Sequence, residues 1–178
     1  MSFREPRYAA SRRALHWGIA ILMVLAYVFI LGRENFERGS DARLAMVQAH
    51  FWIGIAILAL MLPRLLLFFS RPAPPVRPPL PAWQALPAKG VHLLLYVMLV
   101  AQPVLGLLTA WTDGKELLLP FTQIVVPPLV SANEALAHRF EDLHELIGTV
   151  FYWVVGLHVA AALYHHFIRR DDTLRRMT

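Results

Sequence analysis

With 178 residues, 57% of them hydrophobic and 16% charged, the chain is too apolar for a soluble globular domain and leaves little room for one beside its membrane segments. The absence of cysteine excludes disulfides, thiolate metal sites and iron–sulfur clusters. A net charge of +5 would suit nucleic acid, but the basic residues stand at the ends of apolar segments as an orientation signal, so no nucleic-acid partner is expected.

The first 13 residues are basic, with Arg4, Arg7, Arg12 and Arg13 against Glu5. Segment 1 follows over about 14–31. A basic start before an apolar run also describes a signal peptide, but no small-x-small cleavage motif follows, so an uncleaved first helix is expected. After a short mixed-charge loop, segment 2 covers about 45–69, with His50 near its start and Pro63 as a kink that a membrane helix tolerates. Residues 70–87 hold seven prolines and read as a stiff polyproline-like connector. Segment 3 covers about 88–111, with His92 in its first turn and Pro103 near the middle. The loop that follows contains an apolar patch over 117–130, too short to span and broken by Pro120, Pro127 and Pro128. It is expected to be an interfacial or re-entrant cap. Segment 4 covers about 141–168, and from Leu146 to Phe167 it has no Asp, Glu, Lys or Arg, where roughly 20 apolar residues suffice to cross a bilayer. The pattern predicts an all-α integral membrane four-helix bundle as one domain over 1–178, with Trp17, Trp52, Trp83 and Trp111 near segment ends as an aromatic belt. Four spans put both termini on one side. That side, with Arg64 and Lys89, holds 12 of the 17 Lys and Arg residues, which predicts cytoplasmic termini.

Histidine is then the only plentiful strong ligand for a transition metal. Ionisable groups inside a membrane helix are costly and usually face the bundle interior for a reason. His144 and His158 are fourteen residues apart on segment 4, so they lie roughly 40° apart on one face with a rise of about 21 Å. Sorted by depth, His50 pairs with His144 on the outer side and His16 with His158 on the inner side. Two imidazoles on facing helices are what a six-coordinate haem iron needs, and without cysteine such a haem is held non-covalently. Depth alone would match His165 to His16 better than His158, and His165 lies within about 20° of the same face. Each of the four is followed four residues later by a small side chain (Ala20, Gly54, Gly148, Ala162), which either clears space for a flat macrocycle or serves close helix packing.

These residues carry a resemblance. The stretches A-L-H-W at His16, Q-A-H-F-W-I-G at His50, H-L-L-L-Y-V-M-L-V-A-Q-P-V-L-G-L in segment 3, L-H-E at His144, G-L-H-V-A-A-A-L-Y-H-H at His158 and the tail D-D-T-L-R-R-M resemble the prokaryotic cytochrome b561 family over nearly the whole chain. The resemblance implies two b-type haems in a bacterial inner membrane, with His16, His50, His144 and His158 as axial ligands, and it decides for His158 over His165. With no open coordination position, electrons enter and leave at haem edges. The family includes superoxide:ubiquinone oxidoreductases, so the expected function is electron transfer from superoxide on the periplasmic side to ubiquinone. The alternative is a module passing electrons between a dehydrogenase or other redox protein and quinone. A transporter or metal channel would show no haem absorption.

His165 is a candidate for a quinone carbonyl or its proton, beside an inner cluster of Arg12, Arg13, Lys89, Arg169 and Arg170; an interfacial structural role fits it equally. His166 reads as interfacial, His92 as a propionate or quinone partner or a packing residue, and His138 as a surface residue. The outer loops hold nine acidic against five basic residues, which leaves Arg33, Arg38 and Arg43 as the local patch that could steer a small anion.

Overall fold

In lipid no water is present to satisfy backbone groups, so an apolar chain crosses only as helices or a closed barrel. The computed structural model, which describes residues 7–70 and 72–178, takes the helical solution. Arg4, Glu5 and Arg71, used above in the charge distribution, lie outside the described residues. The helices are α1 (Ala10–Gly32), α2 (Asp41–Ser70), α3 (Ala82–Thr112) and α4 (Glu134–Tyr164), and all four are long and apolar enough to cross a membrane. At 1.5 Å per residue, the 30 or 31 residues of α2, α3 and α4 reach about 45 Å, against a hydrocarbon core of about 30 Å. Their ends therefore stand in the headgroup region. This is why α4 starts at Glu134, seven residues before the apolar pattern: Asn133 caps it by accepting from the Leu136 N–H at 3.1 Å.

One sequence expectation changes and another gains detail. The connector over 70–87 is shorter than its prolines suggested, because α3 begins at Ala82 with Pro81 at its N-cap and Pro87 inside it. Pro63, Pro87 and Pro103 all sit within helices and deprive the carbonyls of Ala59, Trp83 and Leu99 of a helical donor. The apolar patch, expected as an interfacial or re-entrant cap, has strands that the sequence reading did not give it. It forms a two-stranded antiparallel hairpin, β1 (Leu117–Leu118) and β2 (Val125–Val126), with Leu117 opposite Val126. Gln48 donates to the Glu116 carbonyl at 2.7 Å and accepts from the Leu118 N–H at 3.0 Å, and Trp52 Nε1 donates to the Leu118 carbonyl at 2.7 Å. These bonds fasten β1 onto the first turns of α2.

Successive helices pack side by side, and α4 lies closest against α3, meeting α1 and α2 chiefly through side chains. Between the two ends of the bundle, Ile19 of α1 and Ile57 and Met61 of α2 form a buried apolar centre, joined by Tyr96, Leu99 and Val100 of α3. At the end carrying both termini, the tail folds back. Trp17 Nε1 donates to the Met177 carbonyl at 2.7 Å, Arg13 donates to the Thr178 carbonyl, and Tyr8 N donates to the Arg176 carbonyl at 3.1 Å. Trp17 and Trp52 thus tie chain segments together, beyond any role at the lipid interface.

Candidate functional site

At the hairpin end, His50 and His144 stand about three turns into α2 and α4, and their ring centres are 6.1 Å apart with planes at 90°. The His50 Nδ1–H donates to the Ala26 carbonyl of α1 at 2.9 Å. The His144 Nδ1–H donates to the Gln102 carbonyl of α3 at 3.1 Å, and Gln102 Nε2 donates back to the His144 carbonyl at 3.0 Å. A backbone acceptor on Nδ1 fixes the tautomer and leaves the Nε2 lone pair free, as metal-binding imidazoles require. Gly106 makes room for this ring, since a Cβ there would lie 3.0 Å from His144 Cε1.

At the terminal end, His16 of α1 and His158 of α4 have ring centres 6.3 Å apart at 72°. His92 of α3 adds a third ring, 5.4 Å from His158, with its Nδ1–H given to the Ala88 carbonyl at 2.6 Å. Arg64 of α2 reaches into the same space, donating to His16 Nδ1 at 3.2 Å and lying 5.4 Å from the centre of the Tyr96 ring. Here the tautomer runs the other way, because a guanidinium can only donate.

The donor set fits a planar metal macrocycle. Two imidazoles on opposite sides of one metal have ring centres about 6 Å apart, from metal–nitrogen bonds of about 2 Å and about 1 Å from nitrogen to ring centre. Both pairs meet that spacing. Among the described residues, no three His, Cys, Asp or Glu side chains converge to hold a bare ion, so the equatorial ligands would have to arrive with the metal.

Of the small residues at four-residue spacing, the two glycines serve packing. A Cβ on Gly54 would meet Pro103 Cβ at 3.8 Å, and one on Gly148 would meet Gln102 Nε2 at 2.9 Å, so both glycines admit α3. Farther along α4, His165 opens a π-helical turn (His165–Arg169), and its Nδ1–H donates to Asp171 Oδ2 at 2.6 Å. Asp171 is buried and also takes Arg169 Nε at 2.9 Å. His166 is half-buried, and His138 is an exposed residue 3.9 Å from Glu134. The expected Arg33/Arg38/Arg43 patch is partly neutralised: Arg33 and Arg43 share one carboxylate, Glu34, each at 3.0 Å. Sequence reasoning missed Gln102, Gly106 and Asp171 and saw Arg64 only as an orientation charge. A lone glutamine in an apolar run was the available signal for the first.

Four apolar helices with paired imidazoles at two depths define the class, a membrane-embedded b-type cytochrome. The chain belongs to the prokaryotic cytochrome b561 family, whose sequence model matches residues 7–178. It is 32% identical over 171 residues to cytochrome b561 homolog 1 of Escherichia coli K12, covering 96% of each chain. It is 33% identical over 172 residues to the probable superoxide oxidase CybB of Yersinia pestis, covering 96% of this chain and 95% of that one. Cytochrome b562 of Cereibacter sphaeroides is 29% identical over 181 residues, covering 98% of this chain and 96% of that one. Membership makes this a membrane electron-transfer protein of the bacterial inner membrane and implies that it binds haem b.

Proposed function

We propose that the protein holds two haems b, one between His50 and His144 and one between His16 and His158, and carries electrons across the membrane from superoxide to ubiquinone. The observation that carries this reading is the pair of imidazole sites at two depths, with ring centres 6.1 Å and 6.3 Å apart. Haem b with both axial positions filled supplies reversible one-electron transfer and has no open position for oxygen. Two superoxide anions would give up one electron each and leave as dioxygen, while ubiquinone takes both electrons and two protons to become ubiquinol. The Yersinia relative named as a probable superoxide oxidase supports the donor.

The chain's own residues orient and exclude. Ala26 and Gln102 hold the imidazoles of the hairpin end, and β1 with Trp52 covers that end. The apolar centre around Ile57 and Met61 keeps water out between the two sites. At the terminal end, assigned to the cytoplasm by its basic residues, His165 is the candidate to bind a quinone carbonyl and pass it a proton. Its Nδ1–H is given to Asp171, so Nε2 carries the lone pair and can donate to the carbonyl and pass on a proton only after taking one up from the cytoplasmic side.

The test is direct. Detergent-extracted protein should contain two haems per chain and reduce a ubiquinone analogue when given superoxide. His165→Ala should retain both haems and slow quinone reduction, while haem reduction by the donor persists. A chain with one haem or none would refute the two-site reading. A second reading, a module fed by a docked redox protein, draws on the acidic outer loops and the paired Arg33 and Arg43. It predicts two haems but no turnover with superoxide alone.

A further inference from the structure

Arg64 lies six residues, or about 9 Å, inside the end of a membrane-spanning helix. A guanidinium at such a place normally turns out toward the headgroups or finds an anion. This one does neither. It points inward to His16 and the Tyr96 ring, its Nε is buried with no hydrogen-bond partner, and among the described residues no carboxylate lies within ion-pair distance of it. The two carboxylate side chains described at this end are already engaged. Asp171 is held by His165 and Arg169, and Asp172 accepts from the Arg77 N–H at 2.8 Å and faces Arg176 Nε at 3.5 Å.

The contact with His16 sharpens the problem. Arg64 donates to His16 Nδ1, so that nitrogen carries no proton and the ring proton sits on Nε2. For His16 to offer Nε2 to iron, the proton must move to Nδ1, and two donors would then face each other. Binding through Nδ1 would remove the acceptor just as completely. Either way, Arg64 needs another acceptor whenever His16 binds a metal. At the hairpin end the question never arises, because Ala26 and Gln102 offer carbonyl oxygens to Nδ1.

We propose that Arg64 anchors the haem of the terminal end by taking one of its carboxylate side groups. This inference rests on the reading that His16 and His158 bind that haem's iron. The carboxylate arrives with the iron, supplies the missing anion in a low-dielectric setting, and frees His16 Nδ1 to carry its proton. A bidentate Arg–carboxylate pair is the strong form of such a bond.

The experiment compares wild-type, Arg64→Gln and Arg64→Lys proteins, purified with their haem, by haem content per chain and by redox titration of each haem. The expected result for Arg64→Gln is loss of one haem of two, or a lower midpoint potential for one haem only, because an uncompensated carboxylate favours ferric iron. The signals of the His50/His144 haem stay in place. Arg64→Lys, which keeps the charge without the fork, retains the second haem with a smaller downward shift. Two haems with unchanged potentials in Arg64→Gln would overturn the proposal. Equal loss of both haems would also overturn it, since that is what a packing residue gives. A wild-type protein with fewer than two haems would instead defeat the two-site reading, so the two failures are distinguishable.

Discussion

Single atoms decide how well each imidazole is held. Gly106 is the tightest case: a Cβ would already lie 3.0 Å from His144 Cε1, and the two methyls of valine would fill the ring's space. Gly106→Val should displace His144 and remove the haem assigned to the hairpin end while sparing the other, as read by haem content and low-spin resonance signals. An unchanged spectrum would count against His144 as a ligand. Asp171 gives a prediction of different kind. Burial works to raise its carboxyl, but hydrogen bonds from His165 and Thr173 outweigh it, and the group titrates below the ordinary carboxylate value. A folded pKa below the unfolded one gives stability that is fully present above the unfolded value of about 3.9 and lost as pH falls through the folded value. Amide protection in residues 171–178, corrected for the intrinsic pH dependence of exchange, should therefore hold steady from neutrality down to that range and fall only below it. Loss of protection between pH 7 and pH 5 would show that the Asp171 contacts do not hold the tail.

Among the elements, the hairpin is fixed from outside itself. Two two-residue strands have almost no stability of their own, and three bonds from Gln48 and Trp52 supply it, at about 1 kcal/mol each. The double variant Gln48→Ala, Trp52→Phe should raise amide exchange over residues 117–126 on the order of tenfold to a hundredfold, with the helices unaffected. Those bonds join residues 66 to 70 positions apart, which is why the patch read as a cap without its strands. The four helices were legible because hydropathy over 20 residues is a strong local signal. Their starts at Ala82 and Glu134 were not, since charged and proline-bearing turns beyond the hydrocarbon carry no apolar pattern. The site divides the same way. His16, His50 and His144 stood out as histidines in or beside apolar runs, whereas the choice of His158 over His165 rested on the family resemblance. What holds His50 and His144, the carbonyls of Ala26 and Gln102, is backbone, and backbone leaves no mark in residue type.

Across the whole molecule, the terminal end is closed by the tail. Trp17, Arg13 and Tyr8 bond its last residues, and Arg176 donates to the Pro74 carbonyl, so α1, the proline-rich connector and the chain's final turn form one knot. Ending the chain after Arg170 removes these contacts together with both carboxylates that hold His165, Arg169 and Arg77. The truncated protein should melt at lower temperature and release the haem assigned to His16 and His158 more readily, as followed by absorbance during a thermal ramp. Equal loss of both haems would instead show the tail to be a global fastener. One feature of the bundle also dictates an order of assembly. Each imidazole pair takes one ring from α4, the last of the four helices to leave the ribosome, and the other from α1 or α2. Neither pair exists while α1 to α3 wait in the bilayer, whatever the supply of haem. On the proposed ligand assignment, loading becomes a checkpoint on completed synthesis, and nascent chains stalled before α4 should carry no cofactor.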